Sequence, residues 1–502
     1  MSAPVLSLTG LSLELATLRT FELLRPRVVL AEEAYARMEE SVRIVRDAVR
    51  TERVSYGINT GFGAFANRHI APEQVSQLQV NLVRSHACGI GAPLAPHLVR
   101  RMLLLKANSL AVGCSGVRPA VIAALLALLN HDVLPVIPSR GSVGASGDLA
   151  PLAYVALALI GEGEAMQGSR LLTGTEVLQA AELAPLTLEA KEGLALLNGT
   201  QMSLALALEG CFQAEQLLNA ALVVGALTVE GLAGSHSPFD ARIHAVSRFP
   251  SQIEVAEKFR RLLTESGIWR SHADCDRVQD PYSVRCMPQV YGAVASTINH
   301  ARAVLEAACN GVSDNPLIFG TDILSGGNFH AEPFGFVSDF LAIAVAELAS
   351  MSERRIDLLD RRVNPGLTMF LTGEPGLESG FMIAHVTATA LVSENKTLAH
   401  PASVDSLPTS AGQEDHVSMA PWAGLKLQQI CENTRSVLAI ELLAAAHAID
   451  GQRPLRTTPG LEDVHALVRA QVPYRRQDHR LDRDIATLTA LIAQGALDRF
   501  VA

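Results

Sequence analysis

Two glycine-rich stretches hold the side chains best suited to chemistry. Gly141-Ser142-Val143-Gly144-Ala145-Ser146-Gly147-Asp148-Leu149-Ala150-Pro151-Leu152-Ala153 sets a serine hydroxyl between Ala and Gly, with an aspartate just beyond. Tyr56-Gly57-Ile58-Asn59-Thr60-Gly61-Phe62-Gly63 sets a phenol among three glycines and an asparagine, residues that tolerate positive φ. Taken alone, the first stretch reads as a flexible helix entry or as a phosphate cradle, since glycines let backbone amides approach an anion. The cradle lacks its usual companions: no G-K-[ST] follows, and neither a preceding strand nor a ribose-binding carboxylate is evident. A lone tyrosine in a glycine loop is more often an aromatic anchor than a base. Five further loops are polar: Asn198-Gly199-Thr200-Gln201, Gln279-Asp280-Pro281-Tyr282, Ser313-Asp314-Asn315-Pro316, Gly326-Gly327-Asn328-Phe329-His330 and Gln413-Glu414-Asp415-His416. Singly, each reads as a capped turn. Buried loops have to satisfy their polar groups, so five of them on one scaffold point to a shared polar site.

The elements that must position these loops are helices. The chain to about Gly91 mixes short β-like runs with turns and helices. Leu98 to Asn130 reads as two helices, broken near Gly113-Cys114-Ser115-Gly116 and Pro119. From Leu188 onward long helical patterns dominate. Gly335 to Leu359 repeats apolar residues at three- and four-residue spacing (Phe336, Phe340, Ile343, Val345, Leu348), and Ser436 to Ile449 is apolar apart from Glu441 and His447. A helix apolar nearly all round is buried, within a subunit or against another. The expected fold is therefore mainly α, a long-helix bundle core with a smaller mixed N-terminal region that carries the active-site loops. The expected division is 1–200 for that region and 201–502 for the bundle and C-terminal helices, as one continuous unit.

Composition excludes several function classes. Nearly half of the 502 residues are hydrophobic, few are aromatic, and the formal net charge is −10; no Lys/Arg block marks a nucleic-acid face. Arg475, Arg476 and Arg483 are interleaved with Asp478, Asp482 and Asp484, which reads as solvated surface. Seven widely spaced cysteines without C-x-x-C suit reduced thiols in the cytoplasm. His272, Asp274 and Cys275 lack paired-ligand spacing, so no metal site is expected. No basic segment followed by an apolar core suggests a signal peptide. Leu204 to Leu227 comes nearest to a membrane span, but Glu209 and Glu215 interrupt it. Asn198-Gly199-Thr200 matches a glycosylation sequon, which is empty without secretion.

The run from Gly141 to Ala153 resembles the signature of the aromatic amino acid ammonia-lyases and aminomutases. The resemblance extends over nearly the whole chain, with motifs in the family's order. Tyr56 lies in Y-G-I-N-T-G-F-G and Asn198 in N-G-T-Q. Gln279, Tyr282 and Arg285 lie in Q-D-P-Y-S-V-R-C, Asn315 in S-D-N-P, Phe329 in G-G-N-F-H, and Glu414 in Q-E-D-H. The family implies that Ala145, Ser146 and Gly147 cyclise with loss of two waters into a 4-methylidene-imidazole-5-one, an electron-poor exocyclic alkene. No external cofactor is then needed. The residue types suit this step: Ala and Gly obstruct ring closure little, Gly bends sharply, and Ser supplies a leaving hydroxyl. The family also implies a mainly α homotetramer with active sites shared between subunits.

The same resemblance implies the roles. The electrophile accepts the substrate amine, which otherwise leaves poorly. Tyr56 is the expected base for the weakly acidic β proton, and a phenolate fits where positive charge is near. Arg285, a planar fork, would hold the substrate carboxylate, with Asn198 bonding that carboxylate or supporting the prosthetic group. Tyr282 and Gln279 would orient the reacting groups, Phe329 would pack on the substrate ring, and Asp148 would anchor its loop. Ser85-His86 and Gln413-Glu414 resemble the histidine-specific branch, where His86 and Glu414 would recognise an imidazole. The expected reaction is thus elimination of ammonia from L-histidine to trans-urocanate. Met287, Tyr291 and Gly412 depart from otherwise matching motifs, and Arg362 to Leu367 has a flavour of the tyrosine and phenylalanine enzymes. A tyrosine or phenylalanine lyase, or an aminomutase, is the alternative within the family. Outside it stand a non-catalytic helical oligomer and a fumarase-type lyase, whose G-S-S-x-M-P-x-K loop is missing here.

Overall fold

The structure is a computed structural model that describes residues 4–273, 275 and 277–501; Asp274, weighed above as a metal ligand, lies outside them. It is mainly α, with nineteen α-helices among the described residues. The sheets are small. Val5–Leu8 pairs in parallel with Arg27–Leu30, and Ile90–Pro93 pairs antiparallel with Pro138–Arg140. Leu134–Pro135, Glu164–Gln167 and Arg170–Thr173 form a three-stranded sheet, and Leu317–Phe319 pairs with Asp322–Leu324. The chain divides into two compact units, each assembled from three separate stretches.

The first unit holds residues 1–209, 302–338 and 401–425. Its buried helices Pro96–Ala111 and Pro119–Asn130 both start on a proline, whose missing N–H has no intrahelical partner to lose there. The break between them lies where the sequence pattern placed it. The helix Leu149–Ile160 ends on Gly161 in the left-handed conformation. It packs with Val75–His86 and Glu192–Leu197. This trio fixes three loops at once: the end of the helix that carries His86, the glycine-rich entry at 141–148, and the exit at Asn198.

The second unit holds 210–301, 339–400 and 426–502. Its core is aliphatic, with Leu217, Val224, Leu348, Leu359 and Val437 to Ile440 all buried. Arg355 and Glu441 are buried within it and meet through two hydrogen bonds of 2.5 and 2.8 Å. Thr228 adds a third to the same carboxylate at 2.7 Å.

Val345 and Leu348 of the helix Glu332–Asp360 are buried, but Phe336, Phe340 and Ile343 are 45%, 43% and 50% exposed. The apolar repeat therefore occupies two faces of one helix, of which only one is buried in this chain. Glu332–Asp360 also joins Gln201–Gly231 as a helix long and apolar enough to cross a membrane; only the latter drew notice from sequence. In both, 67% of the apolar window is buried inside the protein, as in an internal helix.

Candidate active site

The 141–148 loop leads from the strand Pro138–Arg140 into the helix Leu149–Ile160. Gly147 has φ +74 and forms a parallel bridge with Gly199, so close that a Cβ would overlap the Gly199 carbonyl. The Asp148 amide donates to that carbonyl at 2.7 Å. The Asp148 carboxylate accepts from Ser142 Oγ at 3.0 Å, Ser203 Oγ at 2.9 Å and Ser203 N at 2.8 Å. Burial pushes its pKa up, against the pull of these donors. The other side of the loop is held by Ala331 N on Gly144 O at 3.1 Å, Met419 N on Val143 O at 2.9 Å and Ser418 Oγ on Gly144 O at 3.0 Å. Helices starting at Leu149, Gln201, Glu332 and Ala420 therefore all begin at this loop. Their N-terminal amides carry partial positive charge, which favours any negative charge that develops there.

Ser146 is reached from two directions. Asn198 Nδ2 donates to its carbonyl oxygen at 2.7 Å, and its own Oγ donates to Glu414 Oε1 at 2.5 Å. Thr409 Oγ1 at 2.5 Å and Ser410 Oγ at 2.9 Å bond the other Glu414 oxygen. Burial opposes the charge on Glu414, but these three hydroxyls and nearby His86 outweigh it, and the pKa is lowered. His86 ends the helix Val75–His86. Its Nδ1 faces the Leu82 carbonyl at 2.8 Å and must carry a proton there, so the lone pair of the neutral ring sits on Nε2. Burial lowers the His86 pKa. The pair thus offers one carboxylate acceptor and one imidazole nitrogen acceptor.

Tyr56 lies in a loop whose Gly57 abuts Leu194 and Pro316, and Gly63 N donates to the phenol oxygen at 3.3 Å. The adjoining turn Gly63–Phe65 packs on Ser410–Gly412, beside Glu414. Asn315 Oδ1 accepts from Gly326 N at 2.7 Å and so ties S-D-N-P to the loop that carries half-buried Phe329. Ser313 Oγ receives Gln201 Nε2 at 3.0 Å and Thr200 N at 3.3 Å. Four of the five polar loops thus join one network in the first unit. His330 and His416 tie the last two together: their rings stack at 5.6 Å, and His330 Nε2 donates to the His416 carbonyl at 3.2 Å. With Glu332 they form a trio of metal-type donors that sequence spacing did not reveal. His330 Nδ1 accepts the Glu332 amide at 3.4 Å, so both its nitrogens serve the backbone.

Gln279, Tyr282 and Arg285 belong to the second unit. Tyr282–Arg285 is a single helical turn in which the Arg285 guanidinium lies 4.9 Å over the Tyr282 ring. Asp280 anchors the turn by accepting Ser235 N at 2.7 Å and pairing with Arg277 at 3.1 Å. Arg355 Nη1 donates to the Ser283 carbonyl at 3.3 Å. Gln279 is exposed, Tyr282 is 70% exposed, and Arg285 Nε is buried without a partner among the described residues.

Several residues that build the site escaped the sequence reading. Ser142, Ser203 and Ser418 lie beside glycine or polar motifs but carry no pattern of their own. Lys106 did leave a signal, a single charge in the apolar run Met102-Leu103-Leu104-Leu105-Lys106-Ala107. Its buried ammonium donates to the Asn198 carbonyl at 2.7 Å, and burial pushes its pKa down to about 7.

Comparison with known proteins gives a consistent set of relatives. The model of a family described as aromatic amino acid lyase matches residues 13–470. A histidine ammonia-lyase from Desulfotalea psychrophila is 52% identical over 97% of this chain and 96% of its own. The crystal structure of histidine ammonia-lyase from Trypanosoma cruzi superposes with a TM-score of 0.91 at 40% identity, covering 99% of this chain and 95% of that one. A tyrosine aminomutase from Streptomyces globisporus gives 0.93 at 35% identity, covering 99% and 98%.

Proposed function

Because the chain belongs to the aromatic amino acid lyase family, we propose that it eliminates ammonia from L-histidine to give trans-urocanate, on an electrophile made from Ala145, Ser146 and Gly147. The observation that carries the substrate is the Glu414–His86 pair beside Ser146, an arrangement that suits an imidazole and leaves two polar groups unpaired around a phenyl ring. The residues fit the prosthetic group. Closing the ring joins the Gly147 nitrogen to the Ala145 carbonyl carbon; that oxygen leaves as water with the Gly147 and Ser146 amide protons. The second water takes the Ser146 hydroxyl and Cα proton. The Ser146 carbonyl survives as the ring ketone, and Asn198 Nδ2 already donates to it. Gly147 is pressed against Gly199 where no side chain fits.

The group supplies an alkene, conjugated to that ketone, to which the substrate amine adds. The chain supplies the rest. The Asn198 amide, which donates to the Ser146 oxygen, would stabilise negative charge there. Tyr56 takes the β proton as the Cα–N bond breaks. Arg285 binds the carboxylate, while Tyr282 and Gln279 orient the substrate and Phe329 packs on its ring. The free Asn198 Oδ1, buried without a partner among the described residues, is an acceptor for the substrate.

We further infer a cytoplasmic homotetramer with shared sites. All seven cysteines are free thiols. The exposed stripe Phe336, Phe340 and Ile343 suits a subunit interface. Tyr282 is too exposed in one chain for a reacting site that excludes water.

Intact mass and a substrate screen test the reading. Purified protein should weigh two waters less than its encoded chain, Ser146→Ala should lack the methylidene and be inactive, and kcat/KM should be higher for histidine than for tyrosine or phenylalanine. Glu414→Gln should damage histidine turnover more than any tyrosine turnover. A linear Ala145-Ser146-Gly147 peptide from active protein would remove the electrophile; faster tyrosine turnover would remove the substrate.

A further inference from the structure

Lys106 lies within the buried helix Pro96–Ala111 and is 1% exposed. Its described hydrogen bond is to the Asn198 carbonyl at 2.7 Å. The nearby carboxylates are engaged elsewhere. Asp314 takes Lys191 Nζ at 2.6 Å and Ser115 Oγ at 2.7 Å, and Asp148 takes Ser142 and Ser203. A buried ammonium without a carboxylate of its own is unfavourable for folding. What it touches is the backbone of the residue that holds Ser146. From Asn198 and Gly199 two arms reach the same segment: Asn198 Nδ2 donates to the Ser146 carbonyl at 2.7 Å, and the Gly199 carbonyl accepts from the Asp148 amide at 2.7 Å. Gly199 has φ +143 and no side chain to limit its rotation. Lys106 Nζ bonds the Asn198 carbonyl and so fixes the plane of the Asn198-Gly199 peptide from that side.

We propose that Lys106 is a positioning residue of this site: its hydrogen bond to the Asn198 carbonyl holds the Asn198-Gly199 peptide, which aims the Asn198 amide at the Ser146 oxygen. The claim rests on the proposed electrophile, whose ketone is that oxygen. Lys106 touches no reacting atom and acts through Asn198, which gives the claim a signature that loss of packing would not share. A double-mutant cycle reads it, with kcat expressed per cyclised chain from intact mass. Lys106→Met should lower kcat at least ~10-fold and change KM less than ~3-fold, the pattern for an interaction that matters in the transition state. In an Asn198→Ala background the same substitution should add less than ~2-fold, because the group it aims is gone. Should Lys106→Met yield no folded protein by circular dichroism, Lys106→Gln carries the same cycle. Wild-type kcat in the lysine variant, or effects that multiply in the double variant, would overturn the proposal. Wild-type protein lacking both the two-water deficit and any lyase product would instead overturn the electrophile itself.

Discussion

At the scale of the residue, the site turns on a few polar atoms whose partners are defined. Tyr56 is held by one amide on its oxygen, so Tyr56→Phe should leave the fold intact, at a cost of about 1–2 kcal/mol for one part-buried hydroxyl. Stopped assays should show turnover down at least ~100-fold, the low end for losing a general base; near-normal turnover would assign the base elsewhere. His86 makes a pH prediction. Burial lowers its pKa below the ordinary 6.5, so the unfolded chain binds the proton first. Its contribution to stability is intact above that value and is lost as the pH falls through the lowered folded value. Melting temperatures measured from about pH 7 to about pH 5 should therefore fall less for His86→Gln than for wild type. A parallel decline in both would show that His86 does not carry this loss.

At the scale of the element, the decisive contact is backbone against backbone. The loop before Leu149 and the loop before Gln201 touch through Gly147 and Gly199. Gly147→Ala adds a Cβ into the Gly199 carbonyl at φ +74. It should destabilise the chain by more than ~1 kcal/mol and block cyclisation; a thermal melt with intact mass reads both, and a variant that cyclises normally would place the fit elsewhere. The sequence made much of this legible. The glycine and polar motifs marked each loop, and Pro96 and Pro119 sit at or near the marked helix starts. It could not show which loops meet, because Thr200 with Ser313 and His330 with His416 are pairings across long separations that no local pattern encodes. Nor could it tell the two faces of Glu332–Asp360 apart, since the helix is apolar on both.

At the scale of the whole molecule, the proposed homotetramer would cover the outward face of that helix at Ile343, half exposed in one chain. Ile343→Glu should break the assembly by placing a charge in an apolar contact. Light scattering should show smaller species, with activity lost if sites are shared; an unchanged assembly would move the interface elsewhere. The long apolar runs already announced deep burial, and the Arg355–Glu441 pair shows what they concealed. Glu441 was visible as a charge in an apolar helix, but its partner Arg355 lies on another helix, far away in sequence.

The walls around Ser146 come from widely separated parts of the chain: Ser142 and Asp148, Asn198 and Ser203, Ala331, and Glu414 to Met419. None of them is adjacent until the tertiary structure is complete. A chain that makes its own reactive group from this loop thereby certifies its own folding. On the proposed cyclisation, the two-water deficit would be a permanent mark, written only on molecules that reached the native state. In a mixed preparation the marked fraction would count the chains that folded, however they were later denatured.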